Sequence, residues 1–472
     1  MRRGKRCRFL RTALSATLAT PFLFVPQFAE LAARTADPAP IEDGSVELVE
    51  PILPQTRVTK QVLEGRAPNT VRLVDAQATA KTAALASFLT GVGRSQFVLY
   101  GHQNDLHHKA GMADGNPSDT HDIVHDYPAI AGLDFQALEH GDFELTSEEA
   151  AAGLTLQEKM ARILKNGADK GVIFTATAHM PNFDVVAKRG RGAKGEKDWD
   201  YTGYTTPVLE GDVMNRVLPG GDLNDVYREY LDRMAAFGHR LAEDDIPLIV
   251  RLYHECDGNW FWWGAGCCSA PQYKNLYRYT VEYLRVACGV HNFLYAWSPG
   301  GPVRSAAEYA QRYPGDAFVD IVGVDMYHRD PAPDDAFLAS LDKTLDVLGD
   351  FSKEHHKILA VTETGILANG HAMAEQGNVR KTWFSEVERV LERHPVAWFM
   401  TWSNDNRTDF DQPYMVSRTR GHEMVNEFVD FYNLGSSVFA SQVPDYGTWH
   451  VAVRPAEAAY GYILSVHPTK EE

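Results

Sequence analysis

Residues 246–264 read IPLIVRLYHECDGNWFWWG. The opening IPLIV is apolar and β-branched, too short for a helix, and continuous enough for a strand buried on both faces. His254 and Glu255 stand together where that strand would end, and four aromatics, Trp260 to Trp263, follow within a dozen residues. So much aromatic surface beside a histidine and a carboxylate is hard to bury completely in one turn of chain.

Runs of the same kind recur along the chain. They are QFVLYGHQ (96–103), YPAIAGLDF (127–135), GVIFTATAHM (171–180), HNFLYAWSP (291–299), FVDIVGVDMY (318–327), KILAVTETG (357–365) and VAWFMTWSN (396–404). Between them lie segments with apolar residues at i, i+3, i+4 spacing, such as TLQEKMARILKNGADK, LNDVYREYLDRMAAFGHRLAEDD, PQYKNLYRYTVEYLRVACG and VRKTWFSEVERVLERH. Strands alternating with helices predict an α/β fold, a single (β/α)8 TIM barrel over residues 71–435. An open doubly wound sheet is disfavoured because no glycine-rich phosphate loop follows the first strand.

Composition agrees with a large globular domain. The 472 residues are 44% hydrophobic and 23% charged, with a net charge of −17. An acidic chain without a basic stripe argues against nucleic acid or an anionic membrane as partner, and a neutral ligand fits. The basic MRRGKRCRFLR followed by the apolar TALSATLATPFLFVPQF reads as a signal peptide over residues 1–33, and so as a secreted or periplasmic protein. Its removal would leave about −22 on the mature chain. Residues 34–70 read as a linker or N-terminal extension, and residues 436–472 as a strand-like C-terminal extension whose role the sequence leaves open. A monomer is expected. Cys267 or Cys268 with Cys288 is a plausible disulfide in an exported protein, and Cys256 reads as a small buried thiol.

In such a barrel catalytic groups belong at the C-terminal ends of strands. Those ends carry His102-Gln103, Asp134, His179, His254-Glu255, Trp297, Asp325 with Tyr327, Glu363, and Trp402. Glu255 and Glu363, on the fourth and seventh runs, would face each other across the mouth and form an acid and nucleophile pair for glycoside hydrolysis. A salt bridge from Glu363 to Arg251 is the purely structural alternative. Trp260 and Trp402 offer flat faces for sugar C–H groups, while Phe261 and one further tryptophan are expected in the core. No metal and no cofactor are expected. HECDG lacks the second histidine of a helical zinc motif, and no G-x-S-x-G elbow is present. His102, His107 and His108 read as substrate contacts or loop structure, with His102 nearest the site. A metal-dependent barrel hydrolase and a non-catalytic glycan-binding barrel are the competing classes.

The segments YGHQND, SDTHDIVHDYPAIAGLD, AHMPNF, YHECDGNWFWWG, YPGDAFVDIVGVDMY, TETG and FMTWSN, in this order over residues 95–435, resemble glycoside hydrolase family 26. Its best-known members are secreted endo-β-1,4-mannanases. The resemblance implies retaining double displacement on internal bonds of mannan, glucomannan or galactomannan. It implies Glu255 as acid/base, Glu363 as nucleophile, His179 and His254 as contacts to the sugar at the cleavage point, Tyr327 as donor to the nucleophile, and Trp260 and Trp402 as platforms. β-1,3-Xylanases and mixed-linkage β-glucanases of the same family are the alternatives. Ala178 and Ser403 depart from the common pattern, where many members carry Trp and Arg, and leave subsite preference beyond the cleavage point open.

Overall fold

The computed structural model describes residues 61–109, 118–139, 143–192, 198–368, 372–404 and 413–456. The predicted signal peptide, the linker up to residue 60 and the run AAYGYILSV lie outside the described residues. Eight parallel strands close on themselves: β2 (Val98–Gln103), β3 (Ile130–Asp134), β4 (Ile173–Ala178), β5 (Leu248–Leu252), β6 (Phe293–Trp297), β7 (Ile321–Arg329), β8 (Ile358–Leu367) and β9 (Val396–Thr401). Closure is the pairing of β9 with β2, Trp398 opposite Leu99 and Thr401 opposite His102. All eight predicted runs are strands, and the fold is the predicted (β/α)8 barrel. Among the described residues no helix is long and apolar enough to cross a membrane.

Alternation along each strand sorts its side chains into two cores. Leu99, Ile130, Ile173, Ile249, Leu294, Ile321, Ala360 and Met400 fill the barrel. Their neighbours Tyr100, Phe174, Val250, Tyr295, Val322, Val361 and Phe399 pack outward against the helices. That is why the strands read as unbroken apolar runs. The helices start where the sequence places capping residues. The Thr155 hydroxyl accepts from Glu158 N (3.1 Å) at Leu156–Ala168, and a Ser269–Gln272 capping box with Pro271 opens Ala270–Glu282.

One helix breaks the amphipathic pattern for a reason. Helix α1 (Ala80–Gly93), AKTAALASFLTGVG, is buried around nearly its whole circumference. Its Leu85, Phe88, Leu89 and Val92 join the barrel-interior core, closing the end opposite the strand C-termini. Small residues permit the approach: a Cβ on Gly93 would lie 2.8 Å from the carbonyl oxygen of Pro395, just before β9. The C-terminal chain completes this closure. Strand β10 (Ser437–Val438) pairs with the start of β2, and β11 (Ala452–Pro455) pairs in parallel with β1 (Thr70–Leu73). Tyr446 and Trp449 pack on Phe88 at 5.5 and 6.0 Å.

The proposed disulfide is not formed. All four cysteines in the described residues are free thiols. Cys268 and Cys288 lie at opposite ends of the helical stretch Ala270–Ala287, and 18 residues at 1.5 Å each separate them by about 27 Å, against the ~7 Å Cα limit of a disulfide. Cys268 Sγ instead points at the carbonyl of Trp263 (3.0 Å), and Cys256 is buried as expected.

Because α1 seals the barrel far from its open mouth, truncating it tests stability alone. Phe88→Ala is expected to lose about 3–5 kcal/mol in urea unfolding, through the cavity it leaves. Ligand affinity at the mouth, measured on the folded fraction, should stay unchanged.

Candidate active site

At the exit of β5 the backbone does something the strand pattern cannot. Arg251 points into the barrel, while Leu252 and Tyr253 both join the outer core. The break comes from left-handed backbone at Tyr253 (φ 47°) and again at Glu255 (φ 50°). For side chains of this size each such residue costs about 1–3 kcal/mol, and such strain collects at functional sites. The result is that His254 and Glu255 both turn toward the mouth.

The aromatic run holds that conformation in place. Trp263 Nε1 donates to the carbonyl of His254 (2.8 Å), Trp262 Nε1 to Met180 O (3.0 Å), and Tyr273 OH to Tyr253 O (2.9 Å). Phe261 stacks on Trp263 at 4.7 Å and meets the His254 ring edge-on at 5.1 Å. Phe261, Trp262 and Trp263 are all buried, so two tryptophans belong to the core rather than the expected one. Trp260 alone stays open, 46% exposed, and its Nε1 donates to Glu255 Oε2 (2.7 Å). Gly258 makes this possible, because a Cβ there would lie 2.5 Å from the Trp260 ring.

Glu363 is aimed by a second irregularity. The β7–β8 register shifts between Val324 and Asp325, bringing Asp325 opposite Glu363, and the β8–β9 register shifts between Val361 and Thr364. Bulges of this kind re-aim side chains beside active sites. Thr362 and Glu363, neighbours in sequence, then both face the barrel axis: Thr362 Oγ1 donates to Asp325 Oδ1 (2.6 Å), and Glu363 pairs with the guanidinium of Arg251. Arg251, 1% exposed, also donates to Asp325 Oδ2 (2.8 Å), Ser298 Oγ (3.1 Å) and Thr177 Oγ1 (3.1 Å). The salt bridge offered as a structural alternative therefore exists, and it lies inside the carboxylate cluster. The other oxygen of Glu363 accepts from Tyr327 OH (2.7 Å).

Carboxylate oxygens of Glu255, Asp325 and Glu363 lie within 4.8 Å of one another. Such a triad has donors for a metal ion, but Arg251 already supplies the positive charge to two of its members. The two glutamates differ in surroundings. Burial, then repulsion by Glu363, pushes the Glu255 carboxyl up to about 7, with the Trp260 donor and the nearby Arg251 charge opposing the shift. Glu363 instead accepts from a cation and a phenol. Burial, reinforced by Arg251 and His179, holds the His254 imidazole well below its usual value and so neutral, 4.0 Å from Glu363. Burial and the adjacent Glu363 keep Tyr327 a protonated donor.

His179 completes the floor. Its Nδ1 bonds the Asp134 carboxylate, which can only accept, so Nδ1 carries the proton and Nε2 is left for a ligand. Its ring lies 4.5 Å from His254, 5.8 Å from Trp402 and 5.9 Å from Tyr204. The structure thus brings Glu255, Glu363, His179, His254, Trp260, Tyr327 and Trp402 to one mouth. His102 is not among them. It follows Tyr100 on the helix-facing side of β2, is fully buried, and bonds Asp105 (2.6 Å), which also accepts from Ser118 and Thr120. His107 packs on Phe143 at 5.5 Å, its pKa lowered to about 3 by burial and by His108. Trp297 is likewise buried on the outer side, against Tyr309 and Tyr313. Arg251, Asp134 as the partner of His179, and Tyr204 join this mouth without a distinguishing pattern in the sequence.

Comparison with known proteins agrees with this geometry. The family described as Glycosyl hydrolase family 26 matches residues 74–418. A mannan endo-1,4-beta-mannosidase of Bifidobacterium adolescentis is 34% identical over 349 residues, covering 71% of this chain and 32% of that protein. One from Bacillus subtilis is 24% identical, covering 42% of this chain and 55% of its own length. The chain therefore spans about a third to a half of these relatives. Among solved structures, an endo-beta-1,4-mannanase double mutant of Cellulomonas fimi superposes with TM-score 0.69 at 33% identity, covering 82% of each chain. The catalytic domain of a Bacillus sp. JAMB-750 endo-beta-1,4-mannanase does so with TM-score 0.70 at 30% identity, covering 82% of this chain and 98% of that one.

The raised Glu255 carboxyl can be read directly by carbon-13 NMR of labelled glutamate. Its midpoint is expected near 7. Trp260→Phe removes a donor that favours the ionised form, so the midpoint should move up, whereas Glu363→Gln removes a repelling charge and should move it down.

Proposed function

Because this chain belongs to glycosyl hydrolase family 26, we propose that it is a retaining endo-β-1,4-mannanase, acting on mannan, glucomannan or galactomannan. The observation that carries the reading is the carboxylate pair, with oxygens of Glu255 and Glu363 within 4.8 Å. Retaining enzymes place their carboxyl groups about 5–5.5 Å apart, and inverting ones about 6.5–9.5 Å to admit a water.

Glu363 is the proposed nucleophile. Arg251 and Tyr327 each hold one of its oxygens and fix its orientation for attack on the anomeric carbon. Glu255, with its carboxyl near 7, is the proposed acid that protonates the leaving oxygen as the bond breaks. Once Glu363 is esterified its charge is gone, and with it the repulsion that helps raise Glu255. Glu255, already a carboxylate after giving its proton to the leaving oxygen, is then no longer repelled by Glu363 and serves as the base that draws a proton from the incoming water. His179, oriented by Asp134, and His254, held neutral by burial, bind hydroxyls of the sugar at the cleavage point, and Trp260 and Trp402 stack against its faces. His102 has no place in this scheme. The N-terminal pattern supports export of the protein, and its acidic charge suits a neutral polysaccharide.

Glu363→Ala is expected to abolish turnover while leaving the fold intact, and a 2-deoxy-2-fluoro mannosyl fluoride should leave one sugar on Glu363 of the wild type by mass spectrometry. Glu255→Ala is expected to lose about 10²–10⁴-fold on polysaccharide and far less on activated aryl glycosides, which need little protonation. Absence of any adduct would sink the retaining assignment. Release of reducing ends from xylan or mixed-linkage glucan, but not mannan, would reassign the substrate.

Activity should also survive exhaustive chelation, since every step uses side chains already in the mouth. Loss on chelation that zinc or manganese restores would overturn that expectation.

A further inference from the structure

The segment FMTWSN does not end at Trp402, and its last residue, Asn404, is fully buried. Asn404 commits its whole side-chain amide to holding another stretch of chain. Its Oδ1 accepts from Met415 N (3.0 Å), and its Nδ2 donates to Met415 O (3.1 Å) and to Asp119 Oδ2 (2.9 Å). Met415 and Asp119 are themselves fully buried, and Pro413 O accepts from Met373 N (3.2 Å). An amide that satisfies both backbone groups of one residue fixes that residue in place and in rotation.

Between Pro413 and Met415 stands Tyr414, and its ring goes where the anchor sends it. A Cβ on Gly365 would come within 2.7 Å of Tyr414 Cδ1, so the ring lies in space that only this glycine leaves open. Gly365 follows Glu363 by two residues on β8. From there the Tyr414 ring meets the ring of Tyr327 edge-on, at 5.6 Å and 62°. Tyr327 is the phenol that donates to Glu363 Oε2 (2.7 Å). A side chain that must aim one hydrogen bond keeps its rotamer through the packing behind it. We propose that Tyr414, seated by Asn404, is a positioning residue: it backs Tyr327 and holds that phenol on the nucleophile. This rests on the glycosidase reading above and carries it one layer behind the groups that meet the sugar.

The test uses whichever pure glycan the wild type cleaves in a panel of mannan, xylan and mixed-linkage glucan, so failure on mannan overturns the substrate reading while Tyr414 is still judged. Tyr414→Ala is expected to lower kcat/KM about 10-fold, the value of one hydrogen bond at the nucleophile. Tyr414→Phe, which keeps the ring, should stay within about 2-fold of wild type, because packing and not the hydroxyl carries the effect. In a Tyr327→Phe background Tyr414→Ala should add nothing, since the bond it protects is already gone. Asn404→Ala should resemble Tyr414→Ala and be non-additive with it. Calorimetric binding of an oligosaccharide of that glycan to Glu363→Ala should be unchanged when Tyr414→Ala is added. A crystal structure of Tyr414→Ala, which needs no activity, should show Tyr327 turned away from Glu363. An unmoved Tyr327, an equal loss in the Tyr327→Phe background, or weaker oligosaccharide binding would each overturn the proposal.

Discussion

The buried guanidinium of Arg251 is the interaction on which the mouth depends. Three carboxyl groups converge there, and with Asp325 and Glu363 buried their mutual repulsion disfavours ionising them together. Arg251 bonds Asp325 and Glu363 at once and draws further hydrogen bonds to Ser298 and Thr177. It thereby ties β5 to β4, β7 and β8 and the strand-end serine after β6 across the barrel axis. Removing one member of such a buried pair typically costs about 3–5 kcal/mol, because the remaining charge is stranded. The same contact that looks structural also sets a fixed positive charge against Glu363, while burial and the nearby Glu363 raise the Glu255 carboxyl.

The price of placing these groups is paid in backbone regularity. Two left-handed residues frame His254, and register shifts bracket Glu363. Neither irregularity is stable alone, and each is overdetermined by its surroundings. Trp262, Trp263 and Tyr273 bond the carbonyls around the first, while the Thr362 hydroxyl bonds Asp325 at the second. The aromatic density after Glu255 is therefore mostly scaffolding, with Trp260 as the one member left to the solvent.

Much of the fold was legible because it rests on local, periodic signals. Continuous apolar runs alternating with amphipathic segments specify a parallel barrel, and all eight strands appear where those runs lie. The carboxylate pair was legible for a related reason, since strand C-termini in a barrel share one face. Less legible was anything that depends on which side of a strand a terminal residue takes. His102 and His254 look alike in sequence, each a histidine closing an apolar run. One continues the alternation set by Tyr100 and turns to the helices, and the other escapes it through a left-handed Tyr253. The expected disulfide failed because spacing in sequence ignores the length of the helix between its ends.

By itself, then, the sequence determined the eight-stranded barrel, its open end and the residue types gathered there, because period and chain order are written in neighbouring residues. Only the tertiary structure decided that Arg251 belongs to the carboxylate cluster, that His102 does not belong to the mouth, that Trp262 and Trp263 are supports, and that α1 with the chain around Tyr446 and Trp449 seals the far end. Each of these is set by the facing of side chains across strands far apart in sequence, and bulges or left-handed residues can reverse that facing without leaving a periodic trace.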